Sequence, residues 1–444
     1  MSRARRKSLP TEPQTASIDS LSHDGRGVAR LGGKTTFIDG ALVGEQVQFV
    51  YTRQRRDYDE GRVVAVVTAS AARVTPFCPS FGVCGGCSLQ HLGADAQLDH
   101  KQQILLDALQ RIGRVTPDAI ATPLRGPTQG YRRKARLGVK YVQKKGRVLV
   151  GFRERQGHFL ADIQTCPVLA EPVGSLLPAL AERLGLLAAR ERIPQIEVAC
   201  GDNATTLALR HLDPLSAADR DKLTTLAQDF ALQVALQPGG PASLQPLWPA
   251  NQPLWLAHPD FDIRLSFLPT DFVQVNAAIN RSMVAQAIAW LDPQPTDRVL
   301  DLFCGLGNFS LPLARRAGEV IGVEGDLAMV ERARVNAALN GLTHVRFSHA
   351  DLAVEPHQEP WAGEPVDLAV LDPPRSGADA AISAFKQLRP QQVLYVSCHP
   401  GSLARDAYQL VHEQGYTLAR VGVLDMFPHT SHVETMALFR RGNK

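Results

Sequence analysis

The alternation of apolar and polar residues changes character along the chain. Between residues 16 and 73, short runs at 35–38, 45–52 and 61–68 alternate as half-buried strands do, with glycines between them. Many short strands in so short a stretch predict a small closed barrel of the OB type.

The middle of the chain has mixed periodicity. Residues 95–112 have the apolar stripe of a helix, and residues 131–159 are basic and β-rich, with 144–147 as a hairpin tip. Helical and strand-like runs follow to about residue 260, interrupted by a Pro/Gly-rich stretch at 237–253 that predicts a loop. We therefore expect an α+β central domain.

From about residue 263, apolar runs and helical patterns alternate to the end, which predicts a doubly wound parallel sheet. Three of these runs end in a reactive side chain: Glu324, Asp372 and Cys398. Ligands bind at the carboxyl ends of such strands, so a thiol and two carboxylates are expected to converge there. Cys398 is then a candidate nucleophile; the alternative is a small buried apolar residue.

Composition describes a protein of two or three domains: 444 residues, 44% apolar and 21% charged. There is no apolar segment long enough to span a bilayer, no secretory signal, and no disulfide-like pattern among the seven cysteines, so the cytoplasm is expected. Residues 1–170 carry 26 Lys/Arg against 14 Asp/Glu, a net +12, whereas the remainder carries 22 against 30, a net −8. This asymmetry favours a nucleic-acid partner over a merely solvated basic surface.

These patterns divide the chain into four parts. They are a basic disordered arm at 1–15, a barrel at 16–73 whose arginines and tyrosines suit RNA, a cysteine-containing central RNA-binding domain at 74–262 and an α/β domain at 263–444.

A glycine turn in the last part predicts a nucleoside site. Residues 297–309 read as strand, turn with Gly305 and Gly307, then helix, and Glu324 follows Gly305 by the spacing typical of a ribose-binding carboxylate. A dinucleotide fingerprint would need a third small residue where Ser310 stands, so S-adenosylmethionine fits better than NAD; the alternative is a degenerate site. Arg375 follows Asp372-Pro-Pro where amino-group methyltransferases typically have an aromatic residue, which leaves room for a carbon nucleophile.

Four cysteines have the spacing of a metal site. Cys78, Cys84 and Cys87 are clustered among glycines, and Cys166 lies far downstream. Their thiolates could hold tetrahedral zinc or an iron–sulfur cluster, and spacing alone does not choose between them. We interpret Cys200 and Cys304 as bystanders.

The combined motifs closely resemble those of the bacterial RNA (uracil-C5)-methyltransferases, nearly end to end. The matching segments are Phe272-Val-Gln274-Val-Asn276, Leu300-Asp-Leu-Phe303-Cys-Gly-Leu-Gly-Asn308-Phe, Leu371-Asp372-Pro-Pro-Arg375, Val396-Ser-Cys398 and His432-Val-Glu434-Thr-Met436. The resemblance implies a TRAM barrel followed by a Rossmann-like methyltransferase domain. Within the family, a TRAM barrel with a cysteine cluster is similar to the members that methylate 23S ribosomal RNA at uracil 1939, whereas the members acting on the tRNA T-loop lack both.

The resemblance also implies roles for individual residues. It makes Cys398 the nucleophile and Glu434 the base that removes the C5 proton, and it makes the cysteine quartet a [4Fe-4S] site. The implied contacts to the methyl donor are Gln274, Phe303, Asn308, Glu324, Asp351 and Asp372. One departure is His399, where the family usually has Asn.

Several alternatives stay open. By sequence alone Glu434 could be a solvated surface residue, and His432 and His429 are rival bases. The target could be a cytosine or a tRNA uracil, or the chain could be a non-catalytic, metal-stabilised RNA-binding protein. We expect 23S ribosomal RNA as the partner, no DNA or membrane, and a monomer.

Overall fold

The computed structural model describes residues 9–250, 252–355 and 359–442. They fall into two compact units, one comprising Met1–Ile104 with Pro428–His432 and the other Leu105–Phe427 with Val433–Lys444. Among the described residues, no helix is long and apolar enough to cross a membrane. Residues 1–8 of the expected arm lie outside the described residues.

The first unit contains one six-stranded sheet, ordered β1-β5-β6-β4-β3-β2. Its strands are β1 Gln14–Ser17, β2 Ser20–Leu21, β3 Gly27–Leu31, β4 Lys34–Asp39, β5 Gln46–Gln54 and β6 Tyr58–Thr68. The strands predicted at 35–38, 45–52 and 61–68 are confirmed as β4, β5 and β6. Alternate residues of β5, Val47 and Phe49, are buried in the core of this sheet.

Helix α1 (Ala94–Ala108) follows the cysteine-rich turns and continues as a π-helical turn over Leu109–Gly113. The helix predicted at 95–112 is therefore confirmed, with a widened last turn. Its apolar stripe is buried through Leu98 and Leu105.

The second unit begins with a six-stranded sheet ordered β12-β11-β10-β9-β7-β8. Its elements are β7 Lys134–Val142, β8 Arg147–Gly151, α2 Val173–Gly185, β9 Gln195–Cys200, β10 Thr205–Arg210, α3 Ala217–Asp229, β11 Gln233–Gln237 and β12 Gln245–Trp248. The hairpin tip between β7 and β8 is confirmed. The prediction of a loop at 237–253 is wrong for β12, an edge strand in which Pro246 is tolerated because one side of it needs no backbone donor.

The remaining elements build a hairpin and a seven-stranded sheet ordered β17-β16-β15-β18-β19-β21-β20. They are β13 Leu254–His258, β14 Ile263–Phe267, α4 Ala277–Leu291, β15 Arg298–Leu302, α5 Ser310–Ala314, β16 Glu319–Glu324, α6 Leu327–Leu339, β17 Val345–His349, β18 Leu368–Leu371, α7 Asp379–Ser383, α8 Phe385–Leu388, β19 Gln392–Ser397, α9 Pro400–Tyr408, β20 Tyr416–Leu424 and β21 Glu434–Arg441. Strands β15 to β19 are parallel, and all of them except the edge strand β17 are buried along most of their length, as their apolar sequences predict.

The last strand departs from the expected parallel sheet. β21 runs antiparallel between β19 and β20. The cause is the connection: residues 425–433, all of them described, contain no helix, and a parallel crossover needs a dozen or more residues. The strand order reverses direction at β15, which places a ligand site at the carboxyl ends of β15, β16 and β18.

Candidate active site

The turn after β15 has an unusual backbone. Phe303, Gly305 and Gly307 all have positive φ angles, of 63°, 56° and 94°. The two glycines adopt this conformation freely, but for Phe303 it costs on the order of 1–3 kcal/mol. Strain of this kind persists only where the surroundings fix the backbone, and the two glycines leave room for a ligand to approach the main chain closely.

Glu324, at the end of β16, is fixed against this turn. Its Oε2 accepts a hydrogen bond from the Gly305 N–H at 3.0 Å, and its Oε1 accepts one from the Asp326 N–H at 3.0 Å. The carboxylate therefore sits beside the glycine turn, as the spacing predicted.

Asn308 holds the turn from the other side. Its amide exchanges two hydrogen bonds with Asn280 at the start of α4, at 2.9 and 3.0 Å, and its Oδ1 also accepts from His258 Nε2 at 3.0 Å. Burial lowers the pKa of His258 to about 4, so the ring is neutral near pH 7. The Asn308 side chain is thus occupied by protein groups, and its expected contact with the donor stays a prediction.

Asp301 is a site residue that the sequence reasoning passed over. It lies on β15, is 1% exposed, and accepts a hydrogen bond from Ser310 Oγ at 2.5 Å. Burial raises its pKa to about 7, opposed by Ser310 and assisted by the charges of Asp372 and Glu324. The sequence does contain a signal for it, since a lone Asp inside the apolar strand Arg298–Leu302 is rarely buried without a role.

Asp372 follows β18 and faces Gln274, whose Nε2 donates to Asp372 Oδ2 at 3.3 Å. Burial raises the pKa of Asp372 to about 7; the Gln274 hydrogen bond lowers it and the Glu324 charge raises it. Asp351 lies just beyond β17, exposed, with Oδ1 accepting from the Ala353 N–H at 2.9 Å. The carboxyl ends of four neighbouring strands thus each present or adjoin a carboxylate.

Cys398 and Glu434 are brought together by the antiparallel strand. Ser397 pairs with Thr435, which makes the residues just beyond them neighbours across the ladder. The Glu434 carboxylate is 4% exposed, and its charge raises the pKa of the Cys398 thiol. Glu434 is therefore buried beside the thiol, not a solvated surface group.

The charges around Cys398 oppose one another. Burial is the largest influence and raises the pKa of the thiol; the charges of Glu434 and Asp372 raise it further, and Arg375 lowers it. Because only a thiolate attacks carbon, Arg375 is the charged side chain that favours the reactive form.

His399 has a local role. It is the N-cap of α9, and its Nδ1 accepts a hydrogen bond from the Ser402 N–H at 3.1 Å. An Asn side-chain oxygen satisfies the same helix donor, which explains how His stands where the family usually has Asn.

Cys200 and Cys304 are buried, whereas Cys398 is half-buried. Burial raises the pKa of all three thiols, but Arg375, which lowers the pKa of Cys398, is the cation that acts on Cys398. His429, one rival base, belongs to the first unit, where its backbone N–H donates to Gln97 Oε1 at 2.8 Å; His432 belongs to that unit too.

The clustered cysteines lie in turns of the first unit. Burial raises the pKa of the Cys84 thiol; the Gly86 N–H, which donates to Cys84 Sγ at 3.4 Å, lowers it, and the nearby Cys78 raises it by a smaller amount. Cys166 belongs to the second unit and is 8% exposed. Over residues 9–250, 252–355 and 359–442, no three His, Cys, Asp or Glu side chains are grouped as a metal site requires. The metal site therefore stays a prediction.

The sheet order, the strained glycine turn and the ring of carboxylates define an α/β methyltransferase domain, and comparison with known proteins specifies which one. The tRNA (uracil-5-)-methyltransferase family model matches residues 94–442, and the TRAM domain model matches residues 7–64. The chain belongs to this methyltransferase family and begins with a TRAM domain, which confirms the resemblance and the fold class expected from sequence.

Relatives match the chain over nearly its whole length. It is 51% identical to the 23S rRNA (uracil(1939)-C(5))-methyltransferase RlmD of Xanthomonas axonopodis pv. citri, covering 99% of this chain and 100% of that protein. The enzyme of the same name from Alkalilimnicola ehrlichii is 51% identical over 98% of each chain. In fold, the chain is similar to the crystal structure of Pyrococcus abyssi tRNA (uracil-54, C5)-methyltransferase in complex with S-adenosyl-L-homocysteine, at 22% identity and a TM-score of 0.73 over 96% of this chain and 99% of that one.

Proposed function

We propose that this chain transfers a methyl group from S-adenosylmethionine to C5 of uracil 1939 in 23S ribosomal RNA. The observation that carries the proposal is the pairing of the Cys398 thiol with the buried Glu434 carboxylate, next to the glycine turn and carboxylates of the donor site. The substrate is the one that the relatives at 51% identity are named for.

The thiol and the carboxylate supply complementary steps. The Cys398 thiolate adds to C6 of the uracil, and the C5=C6 π electrons move onto O4 to give an enolate with carbanion character at C5. C5 then takes the methyl group from the donor, and S-adenosylhomocysteine leaves. Glu434 removes the proton from C5, and the electrons of that C–H bond re-form C5=C6 and expel the thiolate. Two easier steps thus replace one difficult step.

Five residues at or near the strand ends would hold the donor. Glu324, which accepts from the Gly305 N–H, would bind the ribose hydroxyls. Asp372, whose charge raises the pKa of the Cys398 thiol, would bind the donor together with Gln274. Phe303 and Asp351 lie at the same edge of the sheet and would contribute further contacts. Because the donor is a cation, it suits a site with several carboxylates.

The basic first part of the chain would hold the RNA. Arg53 is exposed near the end of β5, with Tyr51 on the same strand, and Arg55 and Arg56 are exposed in the turn between β5 and β6. Cations that neutralise phosphates, together with an aromatic ring, suit a polynucleotide. The target base would have to leave its stack, at a cost of a few kcal/mol, to reach Cys398. A ribosomal RNA substrate fits the cytoplasmic location expected from sequence.

We further infer that Cys78, Cys84, Cys87 and Cys166 hold a [4Fe-4S] cluster. The proximity of Cys78 and Cys84, the Gly86 N–H directed at Cys84 Sγ and the family resemblance support this donor set. Thiolates are the ligands of such clusters, and zinc is the alternative occupant. The cluster would stabilise the fold and takes no part in the steps above.

The decisive experiment uses 23S ribosomal RNA transcripts tritiated at uridine C5. The unaltered protein should release tritium from one uridine, only with S-adenosylmethionine present. Cys398→Ala should release none and form no covalent adduct, and Glu434→Gln should accumulate the methylated adduct. Cys200→Ala, which removes a buried thiol elsewhere, should behave as the unaltered protein.

Other results would redirect the proposal. Tritium release by Cys398→Ala would exclude it as the nucleophile. Methyl transfer from labelled donor without tritium release from uridine would point to cytosine, and donor binding without any transfer would point to a non-catalytic RNA-binding protein.

A further inference from the structure

A fully buried carboxylate lies on α9, the helix that follows Cys398, and has no part in the proposed chemistry. Asp406, on α9, is 0% exposed. Its Oδ2 accepts hydrogen bonds from the Tyr395 hydroxyl at 2.6 Å and the Ala378 N–H at 2.7 Å, and its Oδ1 accepts from Arg405 Nη2 at 2.6 Å. Burying a carboxylate is costly because it loses its water, and such a group persists where hydrogen-bond donors replace that water.

The donors to Asp406 come from three parts of the domain that meet at Cys398. Tyr395 is on β19, three residues before the thiol, and Arg405 is on α9, which begins two residues after it. Ala378 ends the loop that follows Asp372. Arg405 Nη2 also donates to Ser376 O in that loop, at 2.8 Å.

The loop is shaped to fit these groups. Gly377 has a φ angle of 87°, and a Cβ added there would lie 2.4 Å from Arg405 Nη2 and 2.6 Å from Asp406 Oδ2. The Gly377 N–H donates to Pro374 O at 2.9 Å, closing a turn around Arg375. Arg375 therefore belongs to a loop that is anchored to Asp406 through the Ala378 N–H and to Arg405 through Ser376 O.

The charges that act on Cys398 show why the position of Arg375 matters. Glu434 on β21 and Asp372 after β18 are negative, and Arg375 is the cation that opposes them. A shift of the loop would move Arg375 and leave the two carboxylates next to the thiol. Loss of a cation a few ångströms away makes the thiolate less favourable by about tenfold or more, which raises the pKa of the thiol.

We propose that Asp406 is a positioning residue for the methyl transfer, which sets the loop Pro374–Ala378, and with it Arg375, against Cys398. The role in turnover rests on the proposed function, whereas the effect on the thiol does not. Asp406→Asn is the sharpest probe, because it keeps the shape but turns an NH2 group toward donors that need an acceptor.

Two measurements separate positioning from general stability. The first is the pH dependence of Cys398 alkylation by iodoacetamide without RNA, followed at Cys398 by peptide mass spectrometry. The second is the rate of covalent adduct formation with a 23S ribosomal RNA fragment containing 5-fluorouridine at the target, with donor present. We expect Asp406→Asn to raise the alkylation midpoint by about 1 in pH and to slow adduct formation about tenfold.

Further variants keep the test decisive. Glu413→Gln makes the same carboxylate-to-amide change at an exposed position just beyond α9 and should leave both readouts unchanged. Tyr395→Phe removes one donor only, and should shift both readouts in the same direction by less; it carries the test if Asp406→Asn does not fold. Folded variants with the wild-type midpoint and adduct rate would overturn the proposal. If the unaltered protein forms no adduct, the proposed function fails, while the alkylation midpoint still decides the role of Asp406.

Discussion

At the scale of single residues, His399, which follows the proposed nucleophile Cys398, shows how one hydrogen bond can hold the start of a helix. His399 Nδ1 caps α9 by accepting from the Ser402 N–H, and Cys398 directly precedes this cap. Loss of an N-cap costs about 1 kcal/mol of stability. Local fraying of the first turn would also loosen the chain that carries the thiol.

We therefore expect His399→Ala to lower the free energy of unfolding by about 1 kcal/mol and to reduce turnover, because the cap acceptor is gone. His399→Asn should stay close to the unaltered protein on both measures, since Asn is among the best cap residues. Urea denaturation and methyl-transfer rates test this. Equal losses in the two variants would show that the imidazole does more than cap the helix.

Some positions in the candidate site follow from the local sequence, and others depend on how distant segments pack together. Cys398 and Asp372 could be predicted from sequence because each ends an apolar strand, and strand ends meet at one edge of a parallel sheet. The burial of Glu434 could not, because it depends on β21 inserting antiparallel beside β19. The burial and hydrogen bonding of Asp406 could not be predicted either, because the loop that contacts Asp406 and Arg405 lies almost thirty residues earlier in the chain.

At the scale of elements, the ends of β15, β16 and β18 concentrate negative charge. Burial raises the pKa of both Asp301 and Asp372 to about 7, from an ordinary value near 3.8. In the unfolded chain both ionise near their ordinary value. The stability associated with their protonated forms is therefore present below about pH 4 and is lost as the pH rises through 7.

The same shift predicts the pH dependence of donor binding. S-adenosylmethionine carries a sulfonium and an ammonium group, so it should bind more tightly once these carboxyls are ionised, and its binding should release protons. We expect roughly tenfold weaker binding at pH 5.5 than at pH 7.5, measured by calorimetry in two buffers of different ionisation enthalpy. Asp372→Asn should flatten the dependence, and the exposed Asp351→Asn should keep it. Equal affinity at both pH values in the unaltered protein would contradict the assignment.

Element prediction succeeded where periodicity was strong and connections were local. β16 ends at Glu324, where the apolar run predicted a strand end, and α1 forms where the apolar stripe predicted a helix. β12 was missed because Pro246 and the surrounding glycines are typical of a loop. The direction of β21 depended on the length and conformation of the preceding connection, which apolar patterns do not determine.

At the scale of the whole molecule, charge and cysteine chemistry are distributed along the chain in a way that no single domain explains. The net +12 of residues 1–170 lies in the part that contains the TRAM domain, whereas Cys398, Glu434 and the carboxylates at the strand ends are in the acidic remainder. Separation of this kind lets the RNA be held by its phosphates without placing those cations among the carboxylates that suit a cationic donor.

The cysteine quartet is also a whole-molecule feature, since Cys166 is separated from Cys87 by almost eighty residues. Protein purified without oxygen should be brown and contain about four irons and four sulfides per chain, as a [4Fe-4S] cluster requires. Cys166→Ser should lose most of that iron and unfold at lower denaturant concentration, because metal binding contributes to folding. Cys200→Ser, a change at another buried cysteine, should keep the iron. Colourless protein with one zinc per chain would assign the four thiolates to a tetrahedral zinc site, and full iron in Cys166→Ser would remove that residue from the ligand set.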